Sequence, residues 1–354
     1  MKEDRLIGRP VRMKDIAEDL GLSLVTVSKV LRNHADISAA TKRRVRKRIR
    51  ELDYQPNWIA RSLATRRTYT IGLVIPDLTH TFFGEIAKAI GHKVRRENYE
   101  VFISYSEENP RFEREEVRRL LNRRVDGLII ASSLPPTDTS VFKLMDRNQV
   151  PYVIIDRAFP SLEANYVGSD NEAIGALATE HLIEIGCRRI AHIRGPEVMT
   201  GIGRLNGFQK ALAHHGLEIP PEYVVGQEFS LTGGYDHMRQ LLRVSPCPDG
   251  VFCYNDALAA GALQAIWEAG LKVPDDVAIV GAGNIRFSDV LRVSLTTIDQ
   301  SSTRTGQLAG ELLLELMQSK RPRKPKTILL PPKLIVREST MRKQSSSENL
   351  NQPH

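Results

Sequence analysis

The sequence predicts an all-α headpiece followed by an α/β core built as two doubly wound parallel-sheet lobes, and three observations carry that expectation. Basic residues crowd into the first fifth of the chain, and the apolar residues there keep helical spacing. From residue 68 onward, strand-like apolar runs alternate with helix-length amphipathic segments in two successive rounds. At 354 residues the chain exceeds what one ordinary core needs, so two or three folding units are expected.

The headpiece is the basic part. Residues 1–67 hold 17 Lys and Arg against 8 Asp and Glu, a net +9, whereas residues 68–354 hold 33 against 34. Positive charge concentrated in this way marks a surface for a polyanion. From Met13 to Leu31 the apolar spacing is helical and is broken once by Gly21-Leu22-Ser23, which ends one helix and caps the next. Ala17, Gly21 and Val27 meet the demands of a helix-turn-helix: a small residue at the crossing, a left-handed turn residue and an apolar anchor. Ser38 caps a third helix whose Val45, Ile49 and Leu52 share one face, with a dense basic face opposite. Pro56 stops that segment, and Asn57 caps a short fourth helix through about Ala64.

Capping by Ser23 leaves Leu24, Val25, Ser28 and Lys29 on the outward, N-terminal side of the second helix, where base edges would lie. Leu24 and Val25 suit thymine methyl groups in a major groove, and Lys29 can donate to guanine. A second reading has Leu24 and Val25 filling the small three-helix core. The hydroxyls of Thr26, Ser38 and Thr41 suit phosphate contacts, which position a protein without reading sequence.

In the core, strands are expected at Ile71–Pro76, Val101–Tyr105, Gly127–Ala131 and Tyr152–Asp156, with helices near 82–97, 111–123 and 138–148. A second round places strands near Ile190–Arg194, Val224–Gly226, Val251–Tyr254 and Val277–Gly281, with helices near 172–185, 202–215, 232–243 and 256–269. Parallel sheets of this kind bind ligands at the carboxyl ends of their strands, here between the lobes. Cys187, Cys247 and Cys253 are odd in number and widely spaced, as suits reduced thiols in the cytoplasm. The chain shows no apolar signal core and no membrane-length apolar run, so no membrane partner is expected.

Catalysis finds no carrier in the sequence. There is no nucleophile elbow and no metal-spaced His or Cys set, and His181, His192 and His237 read as surface or core histidines. The clusters Gly201-Ile202-Gly203 with Gly207, and Gly281-Ala282-Gly283, lack the spacing of a dinucleotide fingerprint. No enzyme activity, cofactor or metal site is therefore expected. The competing class is a two-lobed α/β small-molecule-binding protein or enzyme with a basic N-terminal extension.

The run MKDIAEDLGLSLVTVSKVLRNHADISAATKRRVRKRIRELDYQPNWIARSLATRRTYTIGLVIPDL resembles the headpiece and first core strand of the LacI/GalR family of bacterial transcription regulators. Weaker similarities at Asp156-Arg157, Arg204-Leu205, Asn255-Asp256, Leu295 to Ile298 and Leu330-Pro331-Pro332 extend the resemblance over nearly the whole chain. It implies a periplasmic-binding-protein-like core behind the helix-turn-helix, and a homodimer on a pseudo-palindromic operator in double-stranded DNA. It also implies a small-molecule effector in the cleft, with a carbohydrate as one candidate. The implied base readers are Leu24, Val25 and Lys29. The implied hinge helix runs from Asn57 to Ala64, with Leu63 wedged into the minor groove beside Ala60. The implied effector residues are Phe82, Phe83, Asp156, Arg204, Asn255 and Asn284.

Two departures from the family pattern stand out. Arg12 occupies the place of a hydroxyl cap on the first helix, and Gly283-Asn284 stand where sugar-responsive relatives present paired aspartates. The expected division is a headpiece at 1–56, hinge and linker at 57–67, an effector-binding and dimerisation core at 68–341 and a disordered polar tail at 342–354. Within the core, the N-lobe is expected at about 68–165 and 299–326, and the C-lobe at about 166–298 and 327–341.

Overall fold

The computed structural model describes residues 11–31, 33–55, 62, 65, 67–319, 321 and 323–342. The expected hinge residues Asn57, Ala60 and Leu63, and the tail beyond residue 342, lie outside the described residues. The chain divides into two compact units, residues 1–68 and residues 69–354.

In the first unit α1 spans Met13–Leu20, α2 spans Leu24–Leu31 and α3 spans Ala39–Glu51. Gly21 ends α1 in the left-handed region, at φ 62°, where a side chain would add strain. The Leu22 N–H then returns to the Ala17 carbonyl at 2.9 Å. Ser23 accepts from the Thr26 N–H at 3.1 Å and so caps α2. Ser38 does the same for α3 through the Thr41 N–H at 3.2 Å. At the start of α1 the Arg12 side chain has no acceptor and makes no cap; Asp15 partly compensates by accepting from the Arg12 N–H at 2.7 Å. Ile16, Ala17, Val27, Val30, Val45 and Tyr54 close a compact core.

The second unit holds two six-stranded sheets. The first contains β1 (Thr70–Ile75), β2 (Glu100–Tyr105), β3 (Gly127–Ile130), β4 (Tyr152–Ile155), β5 (Tyr166–Ser169) and β11 (Thr327–Leu330). Its order is β11-β5-β4-β3-β1-β2, and every pairing is parallel. Helices α4 (Thr81–Arg95) and α11 (Ser302–Gln318) bury one face of it, and α5 (Pro110–Asn122) and α6 (Ser140–Arg147) bury the other.

The second sheet contains β6 (Ile190–Ile193), β7 (Val224–Val225), β8 (Gly250–Cys253), β9 (Ala278–Ala282), β10 (Thr296–Asp299) and β12 (Lys333–Ile335). Its order is β12-β10-β9-β8-β6-β7, with only β12 antiparallel. Helices α7 (Asn171–Glu184) and α8 (Met199–His214) cover one face, and α9 (Leu231–Leu241) and α10 (Asp256–Glu268) cover the other. Strands covered on both faces read as continuous apolar runs, which is why β3, β6 and β8 are buried along their whole length.

The lobe boundaries expected from the sequence need correction. Residues 166–169 and 327–330, expected in the C-lobe, pair with each other as β5 and β11 and finish the first sheet. Asp299, expected in the N-lobe, is the last residue of β10 in the second sheet, and α11 packs with α4 on the first. The chain therefore passes between the lobes three times: after β5, between β10 and α11, and between β11 and β12. The glycines of the 201–207 cluster lie inside α8, and there they serve packing. A Cβ on Gly207 would come within 2.0 Å of the Glu172 carbonyl oxygen in α7, and one on Gly175 within 2.1 Å of the Arg204 carbonyl oxygen. Among the described residues, no helix is long and apolar enough to cross a membrane.

Candidate functional site

The first candidate surface is the outward side of α2. Leu24 and Val25 are 50% and 61% exposed and make no part of the headpiece core, so the core-filling reading of these two residues does not hold. Apolar groups this exposed at a capped helix start, beside a basic helix, are placed to meet an external apolar surface. Ser28 is half-buried on the same helix. The Ser23 and Thr26 hydroxyls bond each other at 2.8 Å, and those of Ser38 and Thr41 at 2.9 Å, so each keeps acceptor capacity for a further donor.

Lys29 is less free than its sequence context suggests. Its ammonium lies 2.6 Å from Asp36, whose other oxygen is 2.7 Å from His34 Nδ1. The Lys29 hydrogen bond holds the Asp36 carboxyl below its ordinary range. Any base contact by Lys29 must compete with this exposed pair, which water already screens. On the far side of α3, Arg48 binds Asp19 at 2.6 Å and ties α3 to α1.

The second candidate site lies between the two sheets of the core, at the carboxyl ends of their strands. One wall carries Asp77 and His80 after β1, Phe82 and Phe83 at the start of α4, Glu108 after β2, and Asp156 and Arg157 after β4. The other carries Arg204 from α8, Phe229, Tyr254 and Asn255 after β7 and β8, and Gln300 after β10. The space between the walls is about 30 Å³, far below an ordinary small-molecule pocket. A small-molecule ligand therefore requires the walls to part. A wider groove of about 490 Å³ opens between α4 and α11, among Lys88, His92 and Arg96. It presents solvated charges and no buried polar atom lacking a partner, so the interlobe space is the better ligand site.

The polar groups of the two walls are held differently. Arg157 is 5% exposed and grips both oxygens of Glu108, at 2.6 and 2.5 Å, in a bidentate pair. Asp156 sits 3.8 Å from Arg157 Nε with its backbone at φ 63°, a conformation uncommon for a side-chain-bearing residue. Burial pushes its carboxyl up, against the pull of Arg157 and Arg204. Arg204, 3% exposed, has neutral partners instead: Asn171 Oδ1 at 3.1 Å, the Tyr254 carbonyl at 2.5 Å and Gln300 Oε1 at 2.7 Å. Its guanidinium also lies 4.4 Å from the Tyr254 ring centre.

Of the six effector residues expected from the sequence, Phe82, Phe83, Asp156, Arg204 and Asn255 line this space. Phe82 and Phe83 also belong to the core beneath it, so they line the space and pack the lobe at once. Asn284 is not among the lining residues; its Oδ1 accepts from Arg337 at 2.8 Å. Asp77, His80, Glu108, Phe229, Tyr254 and Gln300 were not singled out in the sequence. Their common signal is position, within a few residues of a strand's carboxyl end. His192 stacks on Phe252 inside the second lobe, and burial lowers its imidazole to about 4; His181 bonds Thr340 at 2.8 Å.

Comparison with known proteins agrees with this arrangement. Residues 12–57 match the family described as bacterial regulatory proteins, lacI family, and residues 179–340 match the periplasmic binding protein-like domain. The ribose operon repressor of Halalkalibacterium halodurans is 35% identical over 329 residues, which is 93% of this chain and 96% of that protein. The transcriptional repressor PurR of Glaesserella parasuis is 34% identical over 346 residues, covering 96% and 99%. Among solved structures, the Lac repressor dimer bound to operator and the anti-inducer ONPF superposes with a TM-score of 0.84 at 29% identity. That match covers 94% of this chain and all of the other.

Proposed function

The chain belongs to the lacI family of bacterial regulatory proteins, and on that premise we propose that it is a cytoplasmic, homodimeric transcription repressor. In this reading a small oxygenated metabolite bound between the core lobes sets its affinity for operator DNA. The observation that carries the reading is the exposure of Leu24 and Val25 at the capped start of α2. Two apolar side chains without a home in their own core are explained by major-groove methyl groups. The rival, a binding protein or enzyme with a basic extension, leaves them unexplained. The relatives are named as repressors, and the chain is read as a regulator without catalytic activity.

Support for the homodimer comes from the first lobe. Edge strand β2 exposes Phe102, Ile103 and Tyr105, each at 40% or more, beside exposed Phe112 on α5. An apolar edge strand of this kind is an aggregation hazard unless something covers it. On α4, a Cβ at Gly84 or Gly91 would meet nothing within 4 Å, so the smallness of these residues serves no packing inside the chain. Asn57, Ala60 and Leu63 are assigned to the hinge on the family resemblance alone. Support for an oxygenated effector comes from the cleft. Carboxylate acceptors and buried N–H donors flank the apolar Phe82–Phe83 pair, the mixture a hydroxyl-rich ligand requires.

The test is retention of genomic fragments by the purified full-length chain across a salt series. Specific retention that weakens steeply with salt, and that disappears when residues 1–66 are removed, is expected. Equal retention of genomic and random duplex overturns the proposal. For the effector, D-ribose, cellobiose and related compounds are screened by melting temperature, since a ligand of the native state alone raises it.

A further inference from the structure

Among the described residues, three buried side-chain nitrogens have no hydrogen-bond partner, and two of them, His80 Nδ1 and Arg157 Nε, belong to the interlobe space. His80 also makes the polar contact that spans it. Its Nε2 lies 3.4 Å from Asn255 Nδ2, joining the start of α4 on one wall to the start of α10 on the other. The ring is held on edge against Phe82, with centroids 6.3 Å apart, and tilted on Phe83 at 5.6 Å.

Neighbouring bonds fix the protonation pattern of this contact. Asn255 Oδ1 accepts from the Leu258 N–H at 2.8 Å, capping α10. Its Nδ2 donates to the Phe229 carbonyl at 2.9 Å, and a carbonyl takes only a donor. The amide therefore cannot flip, and the group facing His80 is an N–H. His80 Nε2 must then be the bare acceptor, which leaves the proton of the neutral ring on Nδ1. That Nδ1–H is the buried donor without an acceptor.

We propose that His80 is the latch of the cleft: Nε2 accepts from Asn255 to hold the walls together, while Nδ1–H is presented to an acceptor oxygen of the effector. This rests on the reading that the effector enters between the lobes. A ligand offering only N–H or ammonium groups at that point gains nothing from His80, whereas a hydroxyl, ring or carbonyl oxygen satisfies a donor that is otherwise buried at a cost. The groups acting on the ring are Asp77 and Glu108, which favour its protonation, and Arg204 and Arg157, which oppose it; burial outweighs them and lowers its pKa. Protonation would set N–H against N–H at the Asn255 contact, so acid opens the latch.

The decisive measurement is the tautomer of His80 in the full-length protein, read without effector by long-range proton–nitrogen correlation on chain labelled with nitrogen-15 histidine, with His80→Asn assigning the signal. The neutral Nδ1–H form is expected near pH 7.5. Asn255→Asp keeps the oxygen that caps α10 but replaces the facing N–H with an acceptor, so His80 should carry its proton on Nε2 in that variant. An Nε2–H tautomer in the parent, or no change in the variant, overturns the latch. D-ribose and cellobiose serve as effector probes. For a compound that raises the melting temperature, His80→Gln, which reaches the Nε2 position alone, should weaken binding about tenfold or more. If neither sugar binds, the carbohydrate reading fails while the tautomer measurement still decides the latch.

Discussion

Leu24 and Val25 in the headpiece and Phe82 and Phe83 in the cleft are both apolar pairs at the start of a helix, yet the first is half exposed or more and the second almost wholly buried. The arginines differ in the same sense. Arg48 in the headpiece is 26% exposed and paired with an acid beside solvent, whereas Arg157 in the core grips Glu108 from a buried position. The headpiece keeps Leu24 and Val25 where a large partner can reach them and spends few buried polar groups on its own stability. The cleft instead pairs Arg157 with Glu108 and Arg204 with neutral acceptors, yet leaves His80 Nδ1 and Arg157 Nε without an acceptor, so a ligand there must displace existing bonds or satisfy these donors. A surface that finds its partner outside and a pocket that holds its partners inside should therefore respond differently to mutation.

The largest difference is expected on removing the two arginines. Arg157→Ala leaves Glu108 without its partner in a mostly buried site and should cost about 3 kcal/mol of core stability in urea unfolding. Arg48→Ala should cost about 1 kcal/mol or less in its own unit. Similar losses at the two sites would mean that burial does not separate these pairs.

A second effect of comparable size concerns Glu113 on α5, a buried carboxyl that accepts from the Ser132 hydroxyl at 2.5 Å and from the Ser133 N–H. Burial pushes it up to about 7 from an ordinary value of 4.5. In that window the folded chain keeps a proton that the unfolded chain has lost, so core stability falls as pH rises from about 4.5 to about 7 and levels off above. The shift corresponds to about 3 kcal/mol. Glu113→Gln should remove this slope and stabilise the core at pH 8; a slope unchanged by the substitution would place the titration elsewhere.

Leu24→Ala should weaken specific operator retention by about tenfold, the lower end of what one base contact supplies, and leave the melting curve nearly unmoved because the side chain is half exposed and no part of the headpiece core. A loss of headpiece stability instead would return Leu24 to the core. The smallest expected effect is at Arg12→Ser, which supplies the missing side-chain cap of α1. It should raise headpiece stability by about 0.5–1 kcal/mol, measured as slower amide exchange in α1 of the full chain.

The headpiece was legible in the sequence because its signals are local. Ser23, Gly21 and Ser38 act within four residues of themselves, so caps and turn follow from composition and spacing. The alternating core was legible for the same reason, element by element. The pairing of β5 with β11 was not, because Tyr166 and Thr327 are neighbours only across the folded sheet, and four-residue strands carry little pattern of their own. The Arg157–Glu108 pair and the His80–Asn255 contact escaped for a related reason, since their partners come from separate loops. Leu24 and Val25 lay between these cases: the sequence offered two homes for them, and only the packing of Ile16, Val27 and Val45 excluded one.

The threefold passage of the backbone between lobes has a consequence for how this protein is made. The headpiece is complete once about the first 55 residues have left the ribosome, but the first lobe waits for β11, about 160 residues after the β5 it must pair with. At ordinary elongation rates that interval is about 8–30 s. During it a nascent chain carries a finished reader and an unfinished sensor, with β5 open along one edge. A chaperone that shields sheet edges would meet its substrate in that interval, and a transcript truncated before residue 330 would release a chain able to form its headpiece and unable to close its first lobe.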